Sequence, residues 1–315
     1  MGGALEGKVA LVTGASAGGT GTAVAVRFAA EGAKVAITAR SEDGLRETLA
    51  AIEDAGSVGL VLPADLADPD GRRTSLVAET EAAFGPVDIL VNNAMGTIFK
   101  PVHEWTLADM DHMQQINVWA PWLLMAEVLP GMRERGQGWI LNLTSSVGEL
   151  PPGPPYGFVA RSGFAGYGST KAALNRLTVT AAAETEGQGV AVNALTPGAT
   201  ISTPSIVASG TIAAMAGGDD PSWIFEPVDT MAEAALALCS GDPDVLTGRI
   251  AYSLQLLVEL DRPTHDLLGR ELVPGFQPAD LPPRIRRQWQ FHRESGGPDE
   301  HAFDRSSTPL PPALR

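Results

Sequence analysis

Tyr167 and Lys171 stand four residues apart, and on a helix that spacing puts both side chains on one face. A lysine ammonium beside a phenol stabilises the phenolate and lowers its pKa. That makes the tyrosine a usable acid or base near neutral pH. With 3 tyrosines and 4 lysines in 315 residues, chance gives such a pair on the order of 4% of the time. A second chemical feature is the run Thr13-Gly14-Ala15-Ser16-Ala17-Gly18-Gly19-Thr20-Gly21. Glycines let a backbone approach a pyrophosphate, and a helix that follows offers N–H donors and positive potential. The plain alternatives are a solvated helix pair and a tight turn.

The elements that must position these groups are legible along the chain. Short β-rich runs cover residues 8–13 (KVALVT), 34–38 (KVAIT), 58–62, 87–91 (VDILV), 139–143 (WILNL), 190–195 and 249–253. Helical patterns lie between them at 22–31, 41–54, 68–84, 106–135, 167–186 and 230–240. Ser41 is placed to cap the second helix, and Pro69 sits at the first position of the third. Thr106 with Asp109 approximates a capping box, and Pro121 is the expected bend in the long helix. Strands apolar on both faces, alternating with helices, mean an α/β fold: a parallel sheet covered on both sides. The glycine run falls between the first strand and first helix, where a doubly wound sheet binds a dinucleotide.

Further groups follow in order: Asp65-Leu66, Asn92-Asn93-Ala94, Asn117, Asn142-Leu143-Thr144-Ser145, and Asn193-Ala194-Leu195-Thr196-Pro197-Gly198. In this order and spacing, from about residue 5 to 253, the chain resembles the short-chain dehydrogenase/reductase family in its form of about 250 residues. The resemblance implies a single Rossmann fold with a seven-stranded parallel sheet in the order 3-2-1-4-5-6-7. It implies an oxidoreductase that interconverts a ketone and a secondary alcohol by hydride transfer with NAD(P). Tyr167 would move the proton, and Ser145 would hydrogen-bond the same substrate oxygen. Lys171 would lower the tyrosine pKa and hold the nicotinamide ribose, and Asn117 would position a water linking Lys171 to solvent. Cofactor contacts would come from Gly14, Ser16, Gly19, Thr20, Gly21, Arg40, Asp65, Leu66, Asn92, Ala94, Tyr167, Lys171, Pro197, Gly198 and Thr200. No metal site is expected.

This chain departs from the family pattern at four places. The glycine loop has one extra residue, so Gly14, Gly19 and Gly21 become the equivalents with Gly18 spare. The family's N-N-A-G reads Asn92-Asn93-Ala94-Met95-Gly96, which adds bulk beside the cofactor. Ser145 and Tyr167 are 22 apart where the family has about 13, and the surplus forms a Pro- and Gly-rich stretch at 151–166. The acidic-Gly-Gly motif after the last strand is missing. The chemical core is intact and the substrate side remodelled. After the second strand stands Ala39, then Arg40, where an acid would signal NAD. No carboxylate repels a 2′-phosphate there and a guanidinium is at hand, so NADP(H) is favoured and NAD(H) is the alternative.

Composition bounds the rest. The net charge of −15 repels a polyanion, which argues against nucleic-acid partners. The apolar segment 116–132 contains Asn117, Pro121, Glu127 and Pro130 and does not read as a membrane span. A single cysteine, Cys239, and an N-terminus without signal-peptide character fit the cytoplasm. Residues 1–254 read as one Rossmann domain with a substrate lid at about 199–225. Residues 255–315, with 9 of the 24 prolines, read as an extension rather than a domain. Phe276, Ile285, Trp289 and Phe291 mark 258–291 as packed, while the end from 295 is expected to be mobile. The lid residues Ile201, Ile206, Val207, Ile212 and Met215, with Trp119, Phe158 and Phe164, suggest an apolar carbonyl or alcohol substrate. The resemblance also implies a homodimer or homotetramer built on the helices at 106–135 and 167–186, with Trp119, Trp122 and Leu123 as contact candidates. The competing readings are an epimerase or dehydratase of the extended type, and a non-catalytic dinucleotide sensor or scaffold.

Overall fold

The structure is a computed structural model that describes residues 3–16, 18–151, 156, 161–203 and 225–294. Seven parallel strands form the central sheet: β1 (Val9–Thr13), β2 (Lys34–Thr38), β3 (Gly59–Val61), β4 (Ile89–Asn92), β5 (Gly138–Leu143), β6 (Val190–Thr196) and β9 (Ile250–Tyr252). Their order is β3-β2-β1-β4-β5-β6-β9, which is the expected doubly wound arrangement. Two further strands, β7 (Thr200–Ile201) and β8 (Phe225–Glu226), pair with each other outside that sheet.

Both faces of the sheet are covered. Along β1, Ala10 and Val12 join one buried cluster while Val9 and Leu11 join the other, the period-two alternation of a strand. The first cluster takes Val24 and Phe28 of α1 (Thr20–Ala30), Leu45 and Ile52 of α2 (Glu42–Asp54), and Met231 and Leu238 of α7 (Val228–Ser240). The second takes Leu76 of α3 (Leu76–Phe84), Leu124 and Val128 of α5 (Ala120–Arg135), and Ala181 of α6 (Ala165–Glu184). No helix among the described residues is long and apolar enough to cross a membrane.

The strand order reverses between β1 and β4, so the crevice for a ligand opens at their carboxyl ends, between the glycine loop and Asn93. Other elements differ from the sequence reading. The third helix starts at Leu76 and not at 68. Asp65 and Asp68 each accept from the backbone N–H two residues on, at 2.9 and 3.0 Å, and these Asx turns hold a loop ahead of it.

The long helix is broken before Pro121. α4 (Leu107–Gln114) passes through a π turn at Gln115–Trp119 into α5. Pro121 has no N–H to offer the Asn117 carbonyl four residues back, so the irregularity falls on Asn117. The expected capping box of Thr106 and Asp109 is present.

The chain after β9 is more ordered than proline content suggests. It runs directly into α8 (Ser253–Glu259) and later forms α9 (Leu281–Glu294). The prolines at 282 and 283 lie in the first turn of α9, where a missing N–H costs nothing. Leu254, Leu257, Leu281 and Ile285 lie in the same buried cluster as Ala10 and Val12. Buried Glu233 of α7 accepts from Arg27 at 3.0 Å and from Arg262 of the tail at 2.7 Å. The expected mobile end from 295, residues 152–155 and 157–160 of the 151–166 stretch, and the lid from 204 to 224 lie outside the described residues.

Candidate active site

The candidate catalytic residues Ser145, Tyr167 and Lys171 come from two elements. Ser145 follows β5, and Tyr167 and Lys171 lie on the buried face of α6. The turn at Ser146–Gly148 can lie flush on α6 because glycines occupy both surfaces. A Cβ on Gly168 would meet the Val147 carbonyl at 2.6 Å, and one on Gly148 would meet the Lys171 backbone at 2.9 Å. That close approach sets the Ser145 hydroxyl beside Tyr167, where it pulls the phenol pKa down.

Burial pushes the Tyr167 phenol up to about 12, against the pull of Ser145. Lys171 is not among the causes of that shift. The Lys171 ammonium is itself buried, which brings it down to about 8. Its Nζ donates to the Leu143 carbonyl at 2.8 Å and lies 5.7 Å from the Tyr167 ring centroid. Tyr167 therefore holds its proton through the neutral range. Its hydroxyl donates to the Sδ of Met95 at 3.4 Å. Phe99 stands edge-on to the Tyr167 ring at 5.8 Å and against Phe164 at 4.9 Å, so the wall beside the hydroxyl is apolar.

Asn117 joins this group through its side chain. Its Oδ1 accepts from Gly96 N–H at 2.9 Å. Its Nδ2 donates to the Gly96 carbonyl and to Thr170 Oγ1, both at 3.0 Å. The side chain ties the loop after β4 to α6 and is fully engaged with protein. The group without an α-helical donor is its main-chain carbonyl.

The glycine loop is built for close approach. A Cβ on Gly21 would meet Asn93 Nδ2 at 2.4 Å, and one on Gly14 (φ +68) would meet the Ala94 Cα at 2.7 Å. Gly18 also takes a positive φ, whereas Gly19 caps α1 with extended backbone, and a Cβ there would make only an ordinary contact with the Ser16 carbonyl at 3.9 Å. No side chain caps α1, and its first turn carries no acid. Its N-terminal N–H groups suit an anion, so these residues fit a dinucleotide pyrophosphate. Arg40 is exposed just after β2, beside half-buried Ala39, and Ser16 is half-buried. Asp65 is exposed, while Leu66 is buried and its carbonyl accepts from Arg73 at 2.9 Å.

Asn92 was expected at the cofactor, but its side chain is buried and donates to Asn142 Oδ1 at 2.8 Å, bracing β4 on β5. The neighbouring Asn93, not singled out from sequence, holds the loop. Its Nδ2 donates to the carbonyls of Thr13 at 2.9 Å and Gly14 at 3.0 Å.

A family model described as short chain dehydrogenase matches residues 8–209. The chain belongs to the short-chain dehydrogenase family. A short chain dehydrogenase of Pseudocercospora fijiensis is 38% identical over 199 residues, 62% of this chain and 60% of that protein. The chain thus spans about three fifths of that relative's length. A 2,5-dichloro-2,5-cyclohexadiene-1,4-diol dehydrogenase of Sphingobium indicum is 33% identical over 248 residues, 78% of this chain and 93% of that protein. Among solved structures, a double Phe-to-Leu variant of a Serratia marcescens short-chain dehydrogenase/reductase matches with a TM-score of 0.66 and 30% identity. That match covers 78% of this chain and 95% of the other.

This short-chain dehydrogenase carries one further site residue that sequence reading missed. Glu226 is wholly buried at the start of the segment leading to α7. Its carboxylate accepts from Ala199 N–H at 3.1 Å, Thr230 Oγ1 at 2.7 Å and Ser253 Oγ at 2.8 Å. Ser253 in turn accepts from Gly198 N–H at 2.9 Å. Glu226 thus fixes the backbone after Pro197, next to Thr200, where the cofactor's nicotinamide end is expected. No signal in the sequence marks it, because two of its partners, Ala199 and Ser253, lie 27 residues away on either side.

Proposed function

We propose that this enzyme interconverts a ketone and a secondary alcohol on an apolar substrate, with NADP(H) as its preferred cofactor. The observation that carries the reading is Tyr167. A protonated phenol, under the pull of the Ser145 hydroxyl and close to a buried Lys171, faces an apolar wall of Met95, Phe99 and Phe164. A bound nicotinamide would supply or take the hydride. In the reducing direction Tyr167 gives its proton to the substrate oxygen, and Ser145 steadies that oxygen from the other side. Lys171, charged at neutral pH, favours the phenolate that is left behind. The Asn117 carbonyl, deprived of a helical donor by Pro121, would hold a water that returns the proton from solvent. Gly14, Gly19, Gly21, Thr20 and Ser16 would cradle the pyrophosphate side, and Gly198 with Thr200 the nicotinamide side.

The preference for NADP(H) rests on exposed Arg40 and on the lack of a carboxylate at Ala39. The Sphingobium relative acts on a cyclic diol, which is in keeping with a ring-bearing substrate here. For assembly, the outer face of α4 and α5 exposes Leu107, Met110 and the Trp119–Trp122 pair, with ring centroids 5.9 Å apart. We take this face to pair with a second copy. A mass measurement at micromolar concentration that finds only monomer would reject that pairing. The activity is tested by NADPH consumption over a panel of aryl, cyclic and aliphatic ketones, beside cofactor binding. Binding of NADPH without turnover of any ketone would instead support the sensor.

A further inference from the structure

Where the family pattern has a glycine, this chain has Met95, and the side chain reaches the proton donor. Its Sδ accepts the Tyr167 hydroxyl at 3.4 Å, yet Met95 is 59% exposed. A thioether is a weak acceptor on an unbranched, three-torsion side chain, so it can hold a hydroxyl and still swing away. The rest of that wall, Phe99 and Phe164, offers no acceptor. A substrate carbonyl oxygen must take the same hydrogen bond before the proton can pass. We propose that Met95 is a positioning residue that holds the Tyr167 proton in the free enzyme and competes with the substrate oxygen for it. This rests on Tyr167 being the acid.

The competition makes KM depend on acceptor strength at residue 95. Met95→Leu keeps the volume and removes the acceptor. Treatment with hydrogen peroxide does the opposite: a sulfur lone pair attacks the peroxide, the O–O bond breaks, an S=O bond forms and water leaves. Sulfur is oxidised and peroxide reduced by two electrons. The sulfoxide oxygen is a stronger acceptor than the thioether. Among the described methionines, Met110 is also exposed while Met113, Met125, Met132 and Met231 are buried, and the Cys239 thiol is buried with its pKa pushed up. Peroxide-treated Met95→Leu controls for oxidation elsewhere.

The experiment measures ketone KM and kcat for wild type and Met95→Leu, each before and after peroxide, with oxygen addition at Met95 confirmed by peptide mass. The expected order of KM is Met95→Leu, then wild type, then oxidised wild type. Each step is about two- to tenfold, the span of one net hydrogen bond, and falls on KM. Oxidised Met95→Leu should keep the KM it had before treatment. A second readout needs no turnover. In protein labelled with 13C-methyl methionine, Tyr167→Phe should shift the Met95 methyl resonance, because the variant removes only the hydroxyl. Equal KM values, a reversed order, an effect confined to kcat, or an unmoved Met95 resonance would each overturn the proposal. A wild type inactive on every ketone would defeat the catalytic reading instead, and the resonance would still decide the contact.

Discussion

Ser253 Oγ lies 2.9 Å from Oε1 and 2.8 Å from Oε2 of Glu226, so one hydroxyl at the start of α8 bridges both oxygens of a buried carboxylate. Among the described residues the groups that donate to that carboxylate are neutral: Ser253, Thr230 and the Ala199 and Gly198 amides. Among the described residues no cation offsets the cost of ionising Glu226. Burial accordingly pushes its carboxyl from 4.5 up to about 7.

The sign of the pH effect follows. A carboxyl raised on folding binds more protons in the native state, so its contribution to stability is fully present below pH 4.5 and is lost as the pH rises through about 7. Glu226→Gln cannot ionise. The stability of wild type relative to Glu226→Gln should therefore fall between pH 5 and pH 8. Urea melts of both proteins at the two pH values measure it, and a pH-independent difference would reject the buried ionisation.

Tyr167→Phe should lower kcat for ketone reduction by about 10²–10⁴, the usual weight of general acid catalysis, while NADPH still binds. Because Tyr167 is pushed up to about 12 and Lys171 comes down to about 8, the alkaline fall of kcat/KM in wild type should track Lys171 near pH 8. Turnover near the wild-type level in Tyr167→Phe would remove the residue from the chemistry.

The strand order was legible because parallel strands buried on both faces read as apolar runs, such as residues 9–12 and 139–141. Tyr167 and Lys171 were legible because their partnership is a local helical spacing. The contact that completes the site was not. Ser145 meets Tyr167 only because Gly148 and Gly168 let a turn lie on α6, and no local pattern marks that fit. Glu226 reads as an ordinary charged residue until folding encloses it. The helix α9 was hidden by Pro282 and Pro283, which look like breakers and instead begin it.

The tail is tied to the core through Glu233, which is buried between Arg27 and Arg262. Glu233→Ala should cost towards the lower end of the roughly 3–5 kcal/mol of a broken buried pair, since Glu31 still partners Arg27. Arg262 is more exposed, and Arg262→Ala should cost about 1 kcal/mol or less. Chemical denaturation of both variants would show this ranking. Equal costs would mean that the bond to the tail, rather than the buried Arg27 charge, carries the energy.

Arg40 is exposed directly after β2, at the edge of the crevice where an adenine ribose would sit. The protein as a whole carries a net charge of −15, so a 2′-phosphate is attracted only by a local cation. A charge-assisted hydrogen bond contributes about 1.5–3 kcal/mol, which is roughly 10- to 150-fold in binding. Arg40→Ala should weaken NADPH by that factor and NADH far less, because NADH has no 2′-phosphate. Ala39→Asp should reverse the preference, since its carboxylate accepts from the ribose hydroxyls of NADH and repels the phosphate of NADPH. The measurement is kcat/KM for both cofactors in wild type and in each variant. A wild type that prefers NADH, or an Arg40→Ala variant that loses both cofactors equally, would show that Arg40 does not read the phosphate.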